Sequence, residues 1–312
     1  MAFSAIAQTP QTLNLSQPVE REIKDKESHL YSVQIPANQT AVFEVDQKGV
    51  DIGGSIYKGD AKDIYFEFET PSGNFIKDIH LLTADETATY KLELFINSND
   101  SKSGNYVIKL AEIRPTTAQD LEMTKATAEI RKLFLESKTL RDKGTAEGRK
   151  LGIEKLQQII PLSRIAKDKS WEMQSLELIA TTLTRLGESR KALEFFNSAL
   201  KIAEELNFKK KQAYILTTLG YAHYTLVEGK NAIVNHEKSL LIAREIKDRE
   251  GEGSALNNLA LVYRFSGEYD KALENLEQSL VVYRELKDRV TEAIVLINFG
   301  LVYSDQREKT KA

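Results

Sequence analysis

A forty-residue offset organises the second half of the chain. Leu176, Leu216, Leu256 and Leu296 fall in register, as do Ala192, Ala232, Ala272 and Ala312, with Gly152 forty residues ahead of them. Leu200, Leu240 and Leu280 share a phase, the small residues Ala180, Gly220, Ala260 and Gly300 share a second, and Leu206, Ile246 and Leu286 a third. A fixed period of this length marks stacked units, none of which can bury its apolar faces alone. Leu, Ala, Glu, Lys and Arg dominate this stretch, apolar spacing is three and four, and Pro161 is the only proline after Pro115; each unit therefore reads as helical. Gly253 to Asp288 shows one unit: Leu256, Leu259, Ala260 and Tyr263 make an apolar face, Ser266-Gly267 breaks it, and Ala272, Leu273, Leu276, Leu280 and Tyr283 line a second helix. Small residues at 260 and 272 let the two backbones approach.

Before Pro115 the period is two. Tyr31, Val33 and Ile35 alternate with Ser32 and Gln34, Phe66 and Phe68 with Glu67 and Glu69, and Tyr90, Leu92, Leu94 and Ile96 with Lys91, Glu93 and Phe95; Tyr106, Ile108 and Leu110 close the series. Turn signals separate these runs at Pro36-Ala-Asn38, Lys48-Gly49, Lys58-Gly-Asp60, Pro71-Ser-Gly-Asn74 and from Asn97 to Gly104. Short strands at this spacing predict an antiparallel β-sandwich. The expected organisation is a leader remnant or disordered end at 1–11, a sandwich at 12–115, a linker and capping helix at 116–149 (Leu121 to Arg141 helical), and repeats over 150–312 with the last one truncated. Two domains suit 312 residues, since single cores stop growing near roughly 250–300.

Charge and composition exclude several chemistries. Lys+Arg of 43 against Asp+Glu of 46 leaves no global basic field for a phosphate backbone, so nucleic acid is not an expected partner. Zero cysteines remove disulfides, thiolate nucleophiles and zinc-thiolate sites. No apolar run approaches the length of a membrane span. At the start, Ala5-Ile-Ala7 before a polar stretch has the form of a signal-peptide cleavage site without its basic head. Two readings stay open: a clipped export signal, which implies periplasm, cell surface or exterior, or chance alanines at a disordered terminus of a cytoplasmic protein.

The unit Leu259-Ala-x-x-Tyr263 followed by Gly267-x-Tyr269-x-x-Ala272-Leu273, with Leu219-Gly220 and Ala232 in the unit before, resembles the tetratricopeptide repeat family over about residues 122 to 312. The period of forty, with Lys247-Asp248-Arg249-Glu250-Gly251 as an inter-helix spacer, is similar to the kinesin-light-chain variant. Departures are Leu in place of the usual tryptophan, Trp171 assigned to a spacer, and His223 and Val227 where an aromatic and a glycine are usual. Glu27 to Val33, Gln47 to Gly53 leading to Ile56-Tyr57, and Ser103 to Lys109 resemble the bacterial pre-peptidase C-terminal-like sandwich. Joined, the two halves are similar to the front of bacterial secreted or surface repeat proteins that carry a caspase-like (CHAT) peptidase domain.

No catalytic constellation stands out. His29, His80, His223 and His236 are scattered, with no metal-ligand spacing; His223 and His236 take core repeat positions, where packing is the expected role. Asp46, Asp51, Asp60 and Asp63 crowd strand ends, where they could hold calcium or serve as turn residues. Lys209-Lys-Lys211 reads as a solvated inter-helix turn and Gly251-Glu-Gly253 as a spacer. No cofactor is implied. The remaining candidate is the groove formed by the first helices of stacked pairs. Asn258 and Asn298, forty apart, project from equivalent places; in peptide-binding relatives, the resemblance implies, such asparagines clamp an extended backbone. Arg185, Tyr221, Tyr224 and Arg264 are the candidate neighbours. The competing role for Asn257-Asn258 is inter-helix hydrogen bonding. The expected function is thus a non-enzymatic scaffold binding a protein or peptide segment. The alternatives are the recruiting front of a secreted peptidase and a carbohydrate- or surface-adhesive sandwich with the repeats as spacer.

Overall fold

The computed structural model describes residues 9–48, 50, 52–59, 64–69, 77–96 and 103–311, with backbone only at 64–69, 77–78 and 308–311. Ala5–Ala7, Asp51, Asp60, Asp63, and the turns at 71–74 and 97–102 lie outside the described residues. By contacts the chain divides into two units, 1–133 with 161–171, and 134–160 with 172–312.

In the first unit the alternating runs form β1 (Gln11–Thr12), β2 (Pro18–Lys24), β3 (Ser28–Ile35), β4 (Gln39–Lys48), β5 (Ile52–Lys58), β6 (Ile64–Glu69), β7 (Lys77–Ala84), β8 (Ala88–Ile96) and β9 (Ser103–Pro115). They make two sheets, ordered β1-β3-β8-β5-β6 and β2-β9-β4-β7, antiparallel except where β1 runs parallel to β3. The two inner faces share one core that includes Ile23, Tyr31, Val33, Phe43, Ile56, Leu92 and Ile108, as period-two burial requires. Sequence pattern marks apolar positions but not their polar company. His29 Nδ1 lies 2.7 Å from the Tyr106 hydroxyl, which lies 2.6 Å from the Tyr31 hydroxyl, all buried and joining the two sheets. Burial pushes both phenols up and the imidazole down, so the chain of hydrogen bonds stays neutral. The Pro36-Ala-Asn38 turn is present, with Asn38 left-handed at φ 59.

Helices begin at a reciprocal cap. Asp120 Oδ2 accepts from Thr117 N–H at 2.8 Å while Thr117 Oγ1 accepts from Asp120 N–H at 3.1 Å, a capping box with aspartate in the third position. Arg114 Nη2 donates to Asp120 Oδ1 at 2.8 Å and holds the carboxyl well below the usual carboxylate range.

The helices are α1 (Ala118–Asp142), α2 (Ala146–Ile165), α3 (Lys169–Arg185), α4 (Ser189–Glu205), α5 (Lys209–Thr225), α6 (Gly229–Glu245), α7 (Arg249–Phe265), α8 (Tyr269–Leu286) and α9 (Arg289–Lys311). Left-handed residues punctuate them at twenty-residue steps: Lys167, Gly187, Asn207, Val227, Lys247, Gly267 and Lys287. After each, a backbone N–H reaches back five residues, as in Glu188 to Leu183 O (2.9 Å) and Asp248 to Ala243 O (2.8 Å), the bond that closes a Schellman cap. Such a turn needs only about three residues, so three expectations from sequence are corrected. Trp171 lies in the first turn of α3, Lys209–Lys211 in that of α5, and Gly251–Gly253 within the first five residues of α7. Asp168, Asp248 and Asp288 cap α3, α7 and α9 by accepting from Ser170, Gly251 and Thr291 N–H.

Register repeats in three dimensions. The small column holds Ala180 and Ala260 at 0% and 1% exposure, and the facing column of second helices holds Phe196, His236 and Leu276, all buried. In α5 the small residue is glycine, and a methyl there would come to 2.6 Å of His236 Cε1. Ser239 and Ser279 Oγ donate to the carbonyls of Ala213 (2.7 Å) and Gly253 (2.9 Å), staples linking second helix to first. His236 therefore packs, as expected, whereas His223 Nδ1 lies 2.6 Å from Glu228 Oε2.

Candidate functional site

The first helices α3, α5, α7 and α9 touch one another through polar and aromatic side chains. Lys211 of α5 meets Glu177 of α3 at 2.9 Å, with only 15% and 5% of the two side chains exposed. Its ammonium also sits 5.3 Å from the Tyr214 ring centroid. The basic run read as a solvated turn thus contributes a paired, mostly covered cation; a separation of 34 residues in sequence hides such a partner. Tyr224 of α5 packs edge-on against Phe265 of α7 at 5.9 Å, and Tyr221 lies 6.2 Å from Tyr224. Arg264 Nε donates to Asp305 Oδ2 of α9 at 2.6 Å.

The two asparagines do not share surroundings. Asn298 is 8% exposed and its Nδ2 donates to Asn257 Oδ1 of α7 at 2.8 Å. Asn258 is half-buried, and its amide makes no hydrogen bond among the described residues. Arg185 is exposed at the last turn of α3, with no ion pair among the described residues. Tyr221, Tyr224 and Phe265 thus come together, Arg264 is engaged by Asp305, and Arg185 and Asn258 each stand on their own helix. Phe265 and Tyr214 are the neighbours that the sequence reading missed; Phe265 stands forty residues after Thr225 and forty before Asp305, so the column carries no common residue type to betray it.

Among the described residues no group of three His, Asp or Glu side chains is placed to hold a metal. None of the described helices is long and apolar enough to cross a membrane.

Residues 211–285 and 252–312 match the family model of the tetratricopeptide repeat. Arrays of this repeat are in general non-catalytic scaffolds for protein contacts. The chain resembles the crystal structure of the apo form of RapI at 20% identity, with a TM-score of 0.53 over 58% of this chain and 65% of that one. It resembles aspartyl phosphate phosphatase F from Bacillus subtilis at 16% identity, with a TM-score of 0.53 over 60% and 48%. A Podosopora anserina protein described as a kinesin light chain with nearly identical TPR-like repeats is 14% identical, with a TM-score of 0.48 over 58% and 89%. At these identities the likeness to the first two is one of fold. No curated protein matches the chain.

Proposed function

We propose that the chain is a non-enzymatic scaffold whose helical repeats bind a protein segment along the groove of α3, α5, α7 and α9. One observation carries the reading: Tyr214, Tyr221 and Phe265 stand 47%, 46% and 59% exposed on neighbouring first helices. Exposed rings gathered on adjoining helices form the kind of surface that a partner covers, and such anchors carry most of the affinity at an interface. Arg185 offers an unpaired guanidinium beside them, and the Asn258 amide can both donate to and accept from an extended backbone. Tyr224 supports the Phe265 ring, while Arg264 and Asn298 hold α7 and α9 in register.

A peptide array probed with the full chain tests this. Tyr221→Ala and Phe265→Ala are expected to lower binding by about tenfold each, as loss of anchors does, and Arg185→Ala to change which acidic sequences are preferred. Asn258→Ala should weaken dissimilar peptides alike, by roughly 0.5–1.5 kcal/mol. Binding that survives all four substitutions would place the ligand elsewhere.

A further inference from the structure

One contact recurs along the first helices, between a last-turn residue of one and a last-turn residue of the next. In α5 and α7 it joins Tyr224 to Phe265, edge-on at 5.9 Å, and in α7 and α9 it joins Arg264 to Asp305 at 2.6 Å. In α3 and α5 the two places hold Thr184 and Thr225. The turn after α1 comes at Gly144, forty-three residues before its counterpart Gly187, so α1 stands three residues out of the common phase. Burial agrees: Ile130, Leu133 and Ser137 are covered as Met173, Leu176 and Ala180 are. The first step of the column is therefore Arg141 of α1 with Arg185 of α3. Where α7 and α9 set a base against an acid, α1 and α3 set a base against a base.

Neither guanidinium has an ion pair among the described residues. Glu177, whose charge reaches Arg141, is taken by Lys211 at 2.9 Å. Arg141 is half-buried and held in place. Its stem lies on Gly152, where a methyl would come to 2.5 Å of Cγ, and its Nε donates to Ser137 Oγ at 3.2 Å. That hydroxyl donates in turn to the Gly152 carbonyl at 2.9 Å. Both Nη groups are left without a partner among the described residues. Burial lowers the Arg141 pKa, and among the charges around it Asp142 and Glu177 raise it while Arg185 lowers it. A cation half removed from water beside a like charge is costly until an anion joins the two.

We propose that Arg141 and Arg185 form a subsite for a phosphoryl group carried by the segment that the groove binds. This rests on the groove reading and supplies the chemistry of its α1 end. Guanidinium forks match the oxygens of carboxylate and phosphate alike, and charge decides between them. A phosphate monoester carries about −1.5 to −2 at neutral pH and neutralises both arginines, whereas a carboxylate leaves one charge uncompensated. Two interhelical steps of about 8–10 Å separate this subsite from Tyr224 and Phe265, a span that an extended chain crosses in about five or six residues.

The probes are fluorescent peptides with Ser, phosphoserine or Glu at one fixed place and varied flanks, titrated into the full chain and followed by anisotropy. The phosphoserine forms should bind about tenfold or more tighter than the Ser forms, and the Glu forms should gain less. Arg185→Glu sets an acid against Arg141, as Asp305 stands against Arg264, and should bring the ratio of phosphoserine to Ser affinity to about one without lowering the melting temperature. Arg141→Gln should do the same to the ratio; if it perturbs the circular dichroism, Arg185→Glu alone decides. At constant ionic strength, inorganic phosphate should raise the melting temperature of the native chain and not that of Arg185→Glu. A ratio near one in the native chain, with Ser peptides still weakened by Tyr221→Ala, overturns the phosphoryl subsite and leaves the groove reading standing. A preference for phosphoserine that survives in Arg185→Glu overturns it too, as does a Glu form that binds as tightly as phosphoserine. Failure of every peptide form to bind overturns the groove reading and this inference with it.

Discussion

Substituting Gly220→Ala and His236→Leu, singly and together, probes the contact at the centre of the α5–α6 pair. His236 is 1% exposed, its Nδ1 has no hydrogen-bond partner, and burial lowers its pKa to about 4. Unfolded, the ring titrates near 6.5. The folded value is the lower one, so the fold prefers the neutral ring; the contribution is full above about 6.5 and is lost as pH falls toward 4. The difference sets the limit at about 3 kcal/mol, of which about 2 kcal/mol is lost between pH 7 and pH 5. His236→Leu copies the residue of the next repeat, Leu276, and should remove that loss. Gly220→Ala alone gains about 1 kcal/mol in helix propensity but meets the imidazole at 2.6 Å, an overlap that costs roughly 1–3 kcal/mol. In the double variant the pair becomes the Ala260–Leu276 pair of the following repeat, so the overlap disappears and the propensity gain remains. The cycle should therefore show a favourable coupling of about 1–3 kcal/mol. Urea unfolding of the full chain at pH 7 and pH 5, with hydrogen exchange at α5 and α6 as the local readout, measures both quantities. Additive effects, or an acid loss unchanged in His236→Leu, would refute the reasoning.

Val227 holds a left-handed turn at φ 62 and is 68% exposed; Val227→Gly should raise stability by about 1 kcal/mol, since a β-branched residue is strained there and little packing is lost, and an unchanged melting curve would contradict this. Asn298→Ala breaks the Asn257 bond and leaves a half-buried amide unpaired, at a cost of roughly 1–2 kcal/mol, whereas Asn258→Ala should stay within about 0.5 kcal/mol. Equal losses in thermal unfolding would mean that the two amides share a role.

The strand alternation of the first hundred residues and the forty-residue columns of the rest were legible because each is carried by neighbours on one element: period two places Tyr31 and Val33 on one face, and spacings of three and four place Leu256 and Ala260 on another. Helix boundaries were legible only in part, because Lys167, Asn207, Val227, Lys247 and Lys287 do the work usually signalled by glycine, which made turns of about three residues look like spacers. The pairing of polar groups came from the tertiary structure alone. Lys211 with Glu177, Asn298 with Asn257 and Arg264 with Asp305 are 34 to 41 residues apart, and the His29–Tyr106–Tyr31 bonds span more than seventy. Sequence periodicity says which side of an element a residue takes. Which polar group it meets depends on how far one helix or sheet is shifted against the next, and that shift is set by the whole packed interface rather than by any local run of residues.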